Sequence, residues 1–405
     1  MVEFLRKKLK NGMVVVMEKR ELPVVALSIT NKFGAAFEES KIKGISHLIE
    51  HMVFTGTKTR THEDISREIE KKGGILNAFT ANEVTSFWFK LPSKHAFSGL
   101  DILVDLLKNP KFDLKKFEKE KKVILEEIKM IHDEPARCIF DKIAENLYEK
   151  PFGESIAGDS KSVSALKRDF VFDFFKKNYN PSNYIVIVVG NADFEKICEF
   201  FEKNFEGRKL ETEKPKIIKK NAESVEERPG IDQAHFIFGV HAPLLNEKGY
   251  YTLEVLDAYL ANGASSKLFL KIREEKGLAY AVQSSINGEK SYGYYTIYVG
   301  TMREAVPEVK KIILEEFANV SKMEEKELNE AKERVIGLHN ISKEESSKVM
   351  SELIFTELAF GAEEYYKHEE KIRKVKLEDV KKLALKLAET YSTAAIVPRS
   401  SAVGH

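Results

Sequence analysis

Short apolar runs rich in Val, Ile, Leu and Met over 13–18 and again over 24–33 are both predicted as strands. Between 44 and 54 the pattern changes. Ile45, Leu48, Ile49, Met52 and Val53 recur at three- and four-residue spacing, which is one face of an amphipathic helix. A second helix over about 61–72 runs into Gly73-Gly74, and a hairpin-like pair follows at 76–81 and 85–91. Long helices are expected over 95–107 and 114–131, the latter built from strong helix formers. A helical stretch at 164–178 leads into an apolar, buried strand at 183–189.

The same order then recurs. A strand at 233–240 precedes a helix at 250–261, a strand pair at 279–285 and 292–299, and helices at 306–320 and 326–342. A helix at 377–391 and a strand at 392–397 repeat the closing pair. The break falls in 206–230, a charged, strand-poor stretch holding Pro215, Pro229 and Gly230, which reads as a linker. The expected organisation is 1–205, a linker at 206–230, and 231–405.

Composition narrows the function classes. With 405 residues, 43% hydrophobic and 32% charged, the chain is a soluble, multi-domain type. Lysine plus arginine (65) nearly balances aspartate plus glutamate (64), so no electrostatic case exists for nucleic acid or an acidic membrane. Neither a signal-peptide core nor an apolar run of membrane-spanning length is present. Cys138 and Cys198 form no metal or redox motif and suit a reducing compartment, so the expected location is cytoplasmic. Residues 399–405 read as a disordered tail.

The chemistry sits in the 44–54 helix. His47-Leu48-Ile49-Glu50-His51 spells H-x-x-E-H. Residues four apart share a helix face, with Cβ atoms roughly 5–6 Å apart. Two imidazoles so placed reach one zinc at about 2.0–2.1 Å. Glu50 lies beside them without ligating, where the base for an activated water belongs. A third ligand is needed. The 114–131 helix offers Glu120 and Glu127, seven apart on one face, while Glu126 points about 100° away from Glu127. Glu38 and Glu39 lie in what reads as an exposed turn. The spacing alone leaves Glu120 and Glu127 both open.

H-x-x-E-H, the later Val-Ile-Leu-Glu126-Glu127-Ile128, the stretch Met52 to Thr57, Gly73 to Thr80, and Arg273 to Tyr280 together resemble the pitrilysin/insulinase family of zinc peptidases, nearly end to end. That family includes the mitochondrial processing peptidase and small bacterial relatives. The resemblance implies an α+β fold of two homologous α/β halves, each a mainly antiparallel sheet covered by helices. It implies Glu127 as the third ligand and Glu120 as a carboxylate supporting the site from behind. Asn77 and Ala78 would open an edge strand that pairs with extended substrate. Arg273 and Tyr280 would hold the substrate backbone and carbonyl, although Gly277 between them interrupts any continuous helix. On the residues alone, Arg273 is a surface charge, Tyr280 a half-core strand residue and Trp88 core. His62, His95, His132, His235 and His241 read as structural or exposed.

At the position of the metal helix the second half carries Asp257-Ala258-Tyr259-Leu260, without histidine, so one Zn2+ per chain is expected. The implied activity is zinc-dependent endopeptidase action on extended or unfolded peptides inside a closed chamber. Larger family members fuse two such units, and this chain carries one. A homodimer with shared active sites is therefore expected, with no nucleic-acid or membrane partner. A silent structural subunit and an obligate heterodimer are the competing readings.

Overall fold

The computed structural model describes residues 3–207 and 214–399. The tail at 400–405 and residues 208–213 of the expected linker lie outside them. Two sheets form. The first contains β1 (Glu3–Lys8), β2 (Val14–Lys19), β3 (Val24–Asn31), β4 (Ile75–Thr80), β5 (Thr85–Pro92) and β6 (Tyr184–Gly190), in the order β1-β2-β6-β3-β5-β4. The second contains β7 (Glu223–Arg228), β8 (Ala234–His241), β9 (Ala279–Gly288), β10 (Gly293–Thr301) and β11 (Ser392–Pro398), in the order β7-β11-β8-β10-β9. Each has one parallel pair, β2 with β6 and β11 with β7, and is otherwise antiparallel. The fold is thus α+β with two mainly antiparallel, helix-covered sheets, as the sequence predicts.

β3 and β6 are buried along nearly their whole length because helices lie on both faces of the first sheet. Five helices matter for the site and its support: α1 (Ile45–Phe54), α2 (His62–Glu70), α3 (Ala96–Lys108), α4 (Leu114–Asp133) and α5 (Pro135–Leu147). Leu48, Ile49 and Met52 of α1 join Leu103 of α3 and Phe87 and Phe89 of β5 in one apolar core. The other face carries Ser28, Thr30, Ser86 and a half-buried Trp88, so Trp88 is not wholly core.

Strands β1 and β7 depart from the sequence reading. Both are edge strands, EFLRKK and ESVEER, whose charged residues mask any apolar alternation. β7 lies within 206–230, so that stretch is not strand-poor throughout.

The compact units cut across the contiguous halves expected from the sequence. One comprises Met1–Lys129, Ser155–Lys216 and Ser342–Tyr365; the other comprises Met130–Glu154, Ile217–Ile341 and Tyr366–His405. Each sheet takes a covering helix from the other half of the sequence. α5 lies on β8 and β11, where Asn146 donates to the Thr393 carbonyl at 2.9 Å and to Ser224 Oγ at 2.7 Å. The helix Ser346–Ala359 lies on β3 and β6, and its Glu357 takes both Arg6 nitrogens at 2.7 and 3.1 Å. Among the described residues no helix is long and apolar enough to cross a membrane.

Candidate metal centre

Helix α1 is fixed at both ends. Gly44 precedes α1 with φ +91°, a left-handed conformation, and a Cβ there would lie 2.5 Å from the Ala157 carbonyl oxygen. The Glu38 carboxylate accepts from the N–H of Gly44 (2.9 Å) and of Ser46 (2.8 Å), placing negative charge at the positive end of the helix. Glu38 is therefore not in an exposed turn; it is 1% exposed, and burial pushes its carboxyl up against the opposing pull of Lys43 and those N–H groups. Glu39 and Lys41 are the exposed pair. After α1, Thr57 Oγ1, Thr59 Oγ1 and Arg60 Nη1 all donate to Asp105 Oδ2 of α3, at 2.6, 2.8 and 3.0 Å.

Burial of Ile45, Leu48, Ile49, Met52 and Val53 turns His47, Glu50 and His51 to the opposite side of α1. On α4 only Phe117 and Ile124 are fully buried, and Glu120 and Glu127 interleave with them along the same face. The two helix faces meet. His47 Nε2 lies 3.7 Å and His51 Nε2 3.6 Å from Glu127 Oε2. The ligand atoms of the three side chains all fall within 4.8 Å of one another. Separations of 3.6–3.7 Å are too long for hydrogen bonds. They are close to the roughly 3.3–3.4 Å edge of a tetrahedron with zinc–ligand bonds of about 2.0–2.1 Å. Two imidazole nitrogens and a carboxylate oxygen are a zinc donor set, and these residues fit the ion.

Surrounding groups set the imidazoles. His51 Nδ1 is 3.2 Å from Glu120 Oε2, the arrangement that fixes a ligating histidine's ring and tautomer. Burial opposes a proton on His51, but the Glu120 contact and the charges of Glu127 and Glu50 outweigh it and raise its pKa. Burial, then the neighbouring His51, pushes His47 down to about 4. Its Nδ1 is buried without a hydrogen-bond partner among the described residues. Glu50 does not join the ligand cluster. Thr80 Oγ1 of β4 donates to Glu50 Oε2 at 2.5 Å, and burial raises the Glu50 carboxyl despite that bond. Thr80 carried no sign of this role in the sequence beyond its place three residues after Asn77.

Asn77 and Ala78 lie on β4, the edge of the first sheet. The Ala78 N–H donates to Asn77 Oδ1 at 2.8 Å. Beside this edge a cleft of about 450 Å³ is walled on one side by Phe54, Ile65, Ile69 and Leu76, with His62 and Glu70 also lining it.

Arg273 and Tyr280 belong to the second compact unit. Arg273 lies within the last turn of a π-helical segment, Phe269–Glu275, and sits over the Phe269 ring at 4.9 Å. Gly277, with φ +60°, terminates that helix before β9, so the two residues sit on separate elements. Tyr280 is 45% exposed. The histidines outside the site include His62, bonded to the Phe54 carbonyl at 3.0 Å, and His241, bonded to that of Lys220 at 2.9 Å.

The sequence pattern described as insulinase (peptidase family M16) matches residues 13–160, and that described as the peptidase M16 inactive domain matches 165–335. An uncharacterised zinc protease of Rickettsia felis is 32% identical over 401 residues, with 96% of each chain covered. One from Bacillus subtilis is 31% identical over 404 residues, covering 96% of this chain and 97% of its own. Among solved structures, a protease from Helicobacter pylori superposes with a TM-score of 0.90 at 20% identity, covering 98% of this chain and 100% of its own. A putative M16-like peptidase from Alicyclobacillus acidocaldarius does so with a TM-score of 0.83 at 19% identity, covering 98% and 99%.

Proposed function

The chain belongs to the insulinase family of zinc proteases (peptidase family M16), and from that premise we propose that it is a zinc-dependent endopeptidase cleaving extended or unfolded peptides inside a closed chamber. The observation that carries this reading is the convergence of His47, His51 and Glu127 with Glu50 held beside them by Thr80.

His47, His51 and Glu127 would hold one zinc per chain, with Glu120 orienting His51. The ion, when bound, polarises water and the scissile carbonyl. Glu50 accepts the proton of the attacking water and returns it to the leaving amine. The β4 edge at Asn77 and Ala78 takes the peptide as an added strand, so the main chain supplies most of the binding. Arg273 holds backbone carbonyls with its fork of donors, and Tyr280 donates to the developing oxyanion. The working form is a homodimer with shared active sites, each drawing zinc ligands from one protomer and Arg273 and Tyr280 from its partner. Two free, buried cysteines, Cys138 and Cys198, support a cytoplasmic setting.

The test is hydrolysis of an unstructured fluorogenic peptide by wild type and Glu50→Gln, each stripped with chelator and resupplied with zinc. Cleavage that requires metal and vanishes in Glu50→Gln supports the peptidase and the base together. Stoichiometric zinc binding with no cleavage by either protein would replace this reading with that of a silent or partner subunit.

A further inference from the structure

Tyr280 occupies an irregularity that strand alternation does not explain. Along β9 and β10, Ala281 pairs with Gly300 and Ala279 with Thr301, so Tyr280 is the extra residue of a β-bulge. In unbroken alternation Tyr280 would face away from the side that Ala281 shares with Gly300. A bulge re-aims the side chain of the inserted residue. Here the Tyr280 ring lies on the Cβ side of Gly300. A Cβ at position 300 would be 2.2 Å from Tyr280 Cζ and 2.4 Å from its hydroxyl oxygen. Only glycine leaves that seat open.

The seat continues into a chain of polar groups on the same face. The Tyr280 hydroxyl is 3.4 Å from that of Tyr298, which in turn is 2.8 Å from His235 Nδ1. Tyr298 is 6% exposed and stacks against His235 (centroids 6.0 Å apart, 29° between planes) and Phe140 (5.9 Å, 27°). Its hydroxyl is thus fixed by packing on both sides, whereas Tyr280 is largely open at its outer face. The 3.4 Å step is longer than a formed O–H···O bond of about 2.5–3.0 Å, and leaves room to tighten when a substrate draws on Tyr280.

We propose that Gly300 and Tyr298 are positioning residues that seat Tyr280 as a pre-aimed donor, with a directional relay from His235 through Tyr298. In this relay His235 Nδ1–H donates to the Tyr298 oxygen, and the Tyr298 hydroxyl is aimed at the Tyr280 oxygen, to which it donates as the 3.4 Å step tightens. Tyr280 then has no inward acceptor for its own proton, which points outward to a peptide carbonyl. Hydrogen bonds in such a chain polarise one another and strengthen the last donor. The inference rests on the oxyanion role given to Tyr280 above.

A double-mutant cycle tests it. Tyr280→Phe should lower kcat by about 10²-fold, the cost of removing one oxyanion donor. Gly300→Ala and Tyr298→Phe should each lower kcat about tenfold with KM little changed, and add nothing further when combined with Tyr280→Phe. Full losses in that background, or none in either single variant while Tyr280→Phe is impaired, overturn the seat and leave the donor role standing. Wild-type kcat in Tyr280→Phe, alongside an inactive Glu50→Gln, overturns the donor role and the seat with it. A crystal structure of Gly300→Ala gives a readout free of activity. Tyr280 displaced from Tyr298 is expected, and an undisturbed Tyr280 hydroxyl next to that of Tyr298 overturns the proposal.

Discussion

His47 and His51 share a helix and a candidate metal centre, yet their surroundings push their protons in opposite directions. His47, held down to about 4, is neutral at any ordinary pH. His51 has its pKa raised above the usual imidazole value, through Glu120 and the charges of Glu127 and Glu50 outweighing burial. Zinc needs the neutral ring. The His51 proton is therefore the competitor, and zinc affinity should begin to fall at a higher pH than an ordinary imidazole would set. Zinc titrations with a competing chelator from pH 5 to 8 check this; a flat profile would contradict it. Glu120→Gln should move the fall to lower pH while weakening binding about 10–100-fold at neutral pH. Thr80→Val should cost about tenfold in kcat, the worth of one hydrogen bond to a charged group, with Thr80→Ser retaining most activity. His47, Glu50 and His51 were legible in the sequence because helix geometry fixes their mutual placement. Thr80 and Glu38 were not. The first acts across a strand–helix contact and the second caps a helix from an apparent turn, and both depend on tertiary register that local spacing does not carry.

Among the elements, β4 combines an open edge, the Thr80 support and the wall of a cleft. Ala78→Pro removes from that edge the N–H that donates to Asn77 Oδ1 in the free protein. It should raise KM several-fold, about 1 kcal/mol of lost pairing, with the circular dichroism spectrum unchanged. The apolar side of the neighbouring cleft, Phe54, Ile65, Ile69 and Leu76, argues for a bulky apolar side chain on the bound peptide. A peptide library read by mass spectrometry checks this, and Phe54→Ala should flatten the preference. The loop that ends α1 hangs on Asp105. Burial alone would raise that carboxyl, but hydrogen bonds from Thr57, Asn109, Thr59 and Arg60 together lower it. A depressed acid stabilises the fold above its unfolded pKa of about 3.9 and loses that contribution as pH falls through the folded value. Asp105→Asn should therefore reduce the slope of acid denaturation in that window. The repeat of helices and inner strands was readable from periodicity. β1 and β7 were not, because an edge strand is selected for charge rather than alternation.

For the whole molecule, the proposed shared-site homodimer turns on which chain completes which site. Mixing Glu50→Gln protein with Arg273→Ala protein should restore about a quarter of wild-type activity, since half of randomly formed dimers are mixed and each has one intact site of two. No recovery would exclude sites shared in this way. The two-sheet architecture follows from the sequence repeat, but the exchange of covering helices does not, because a helix's apolar stripe does not say which sheet it will cover. That exchange also makes the halves inseparable. A fragment ending in 206–230 exposes the face of the first sheet that Ser346–Ala359 covers, and should aggregate unless the remainder is co-expressed.

The exchanged helices also impose a schedule on synthesis. The strands of the first sheet have all emerged once Gly190 is made, but one face stays bare until Ala359 follows. At about 5–20 residues per second that is roughly 10–30 s in which a nascent sheet waits for its lid. α5, complete at Leu147, waits longer still, because β8 is followed only at Pro398 by the end of β11. A ribosome-bound chain stalled before 346 should hold a chaperone, and one stalled well past 359 should release it.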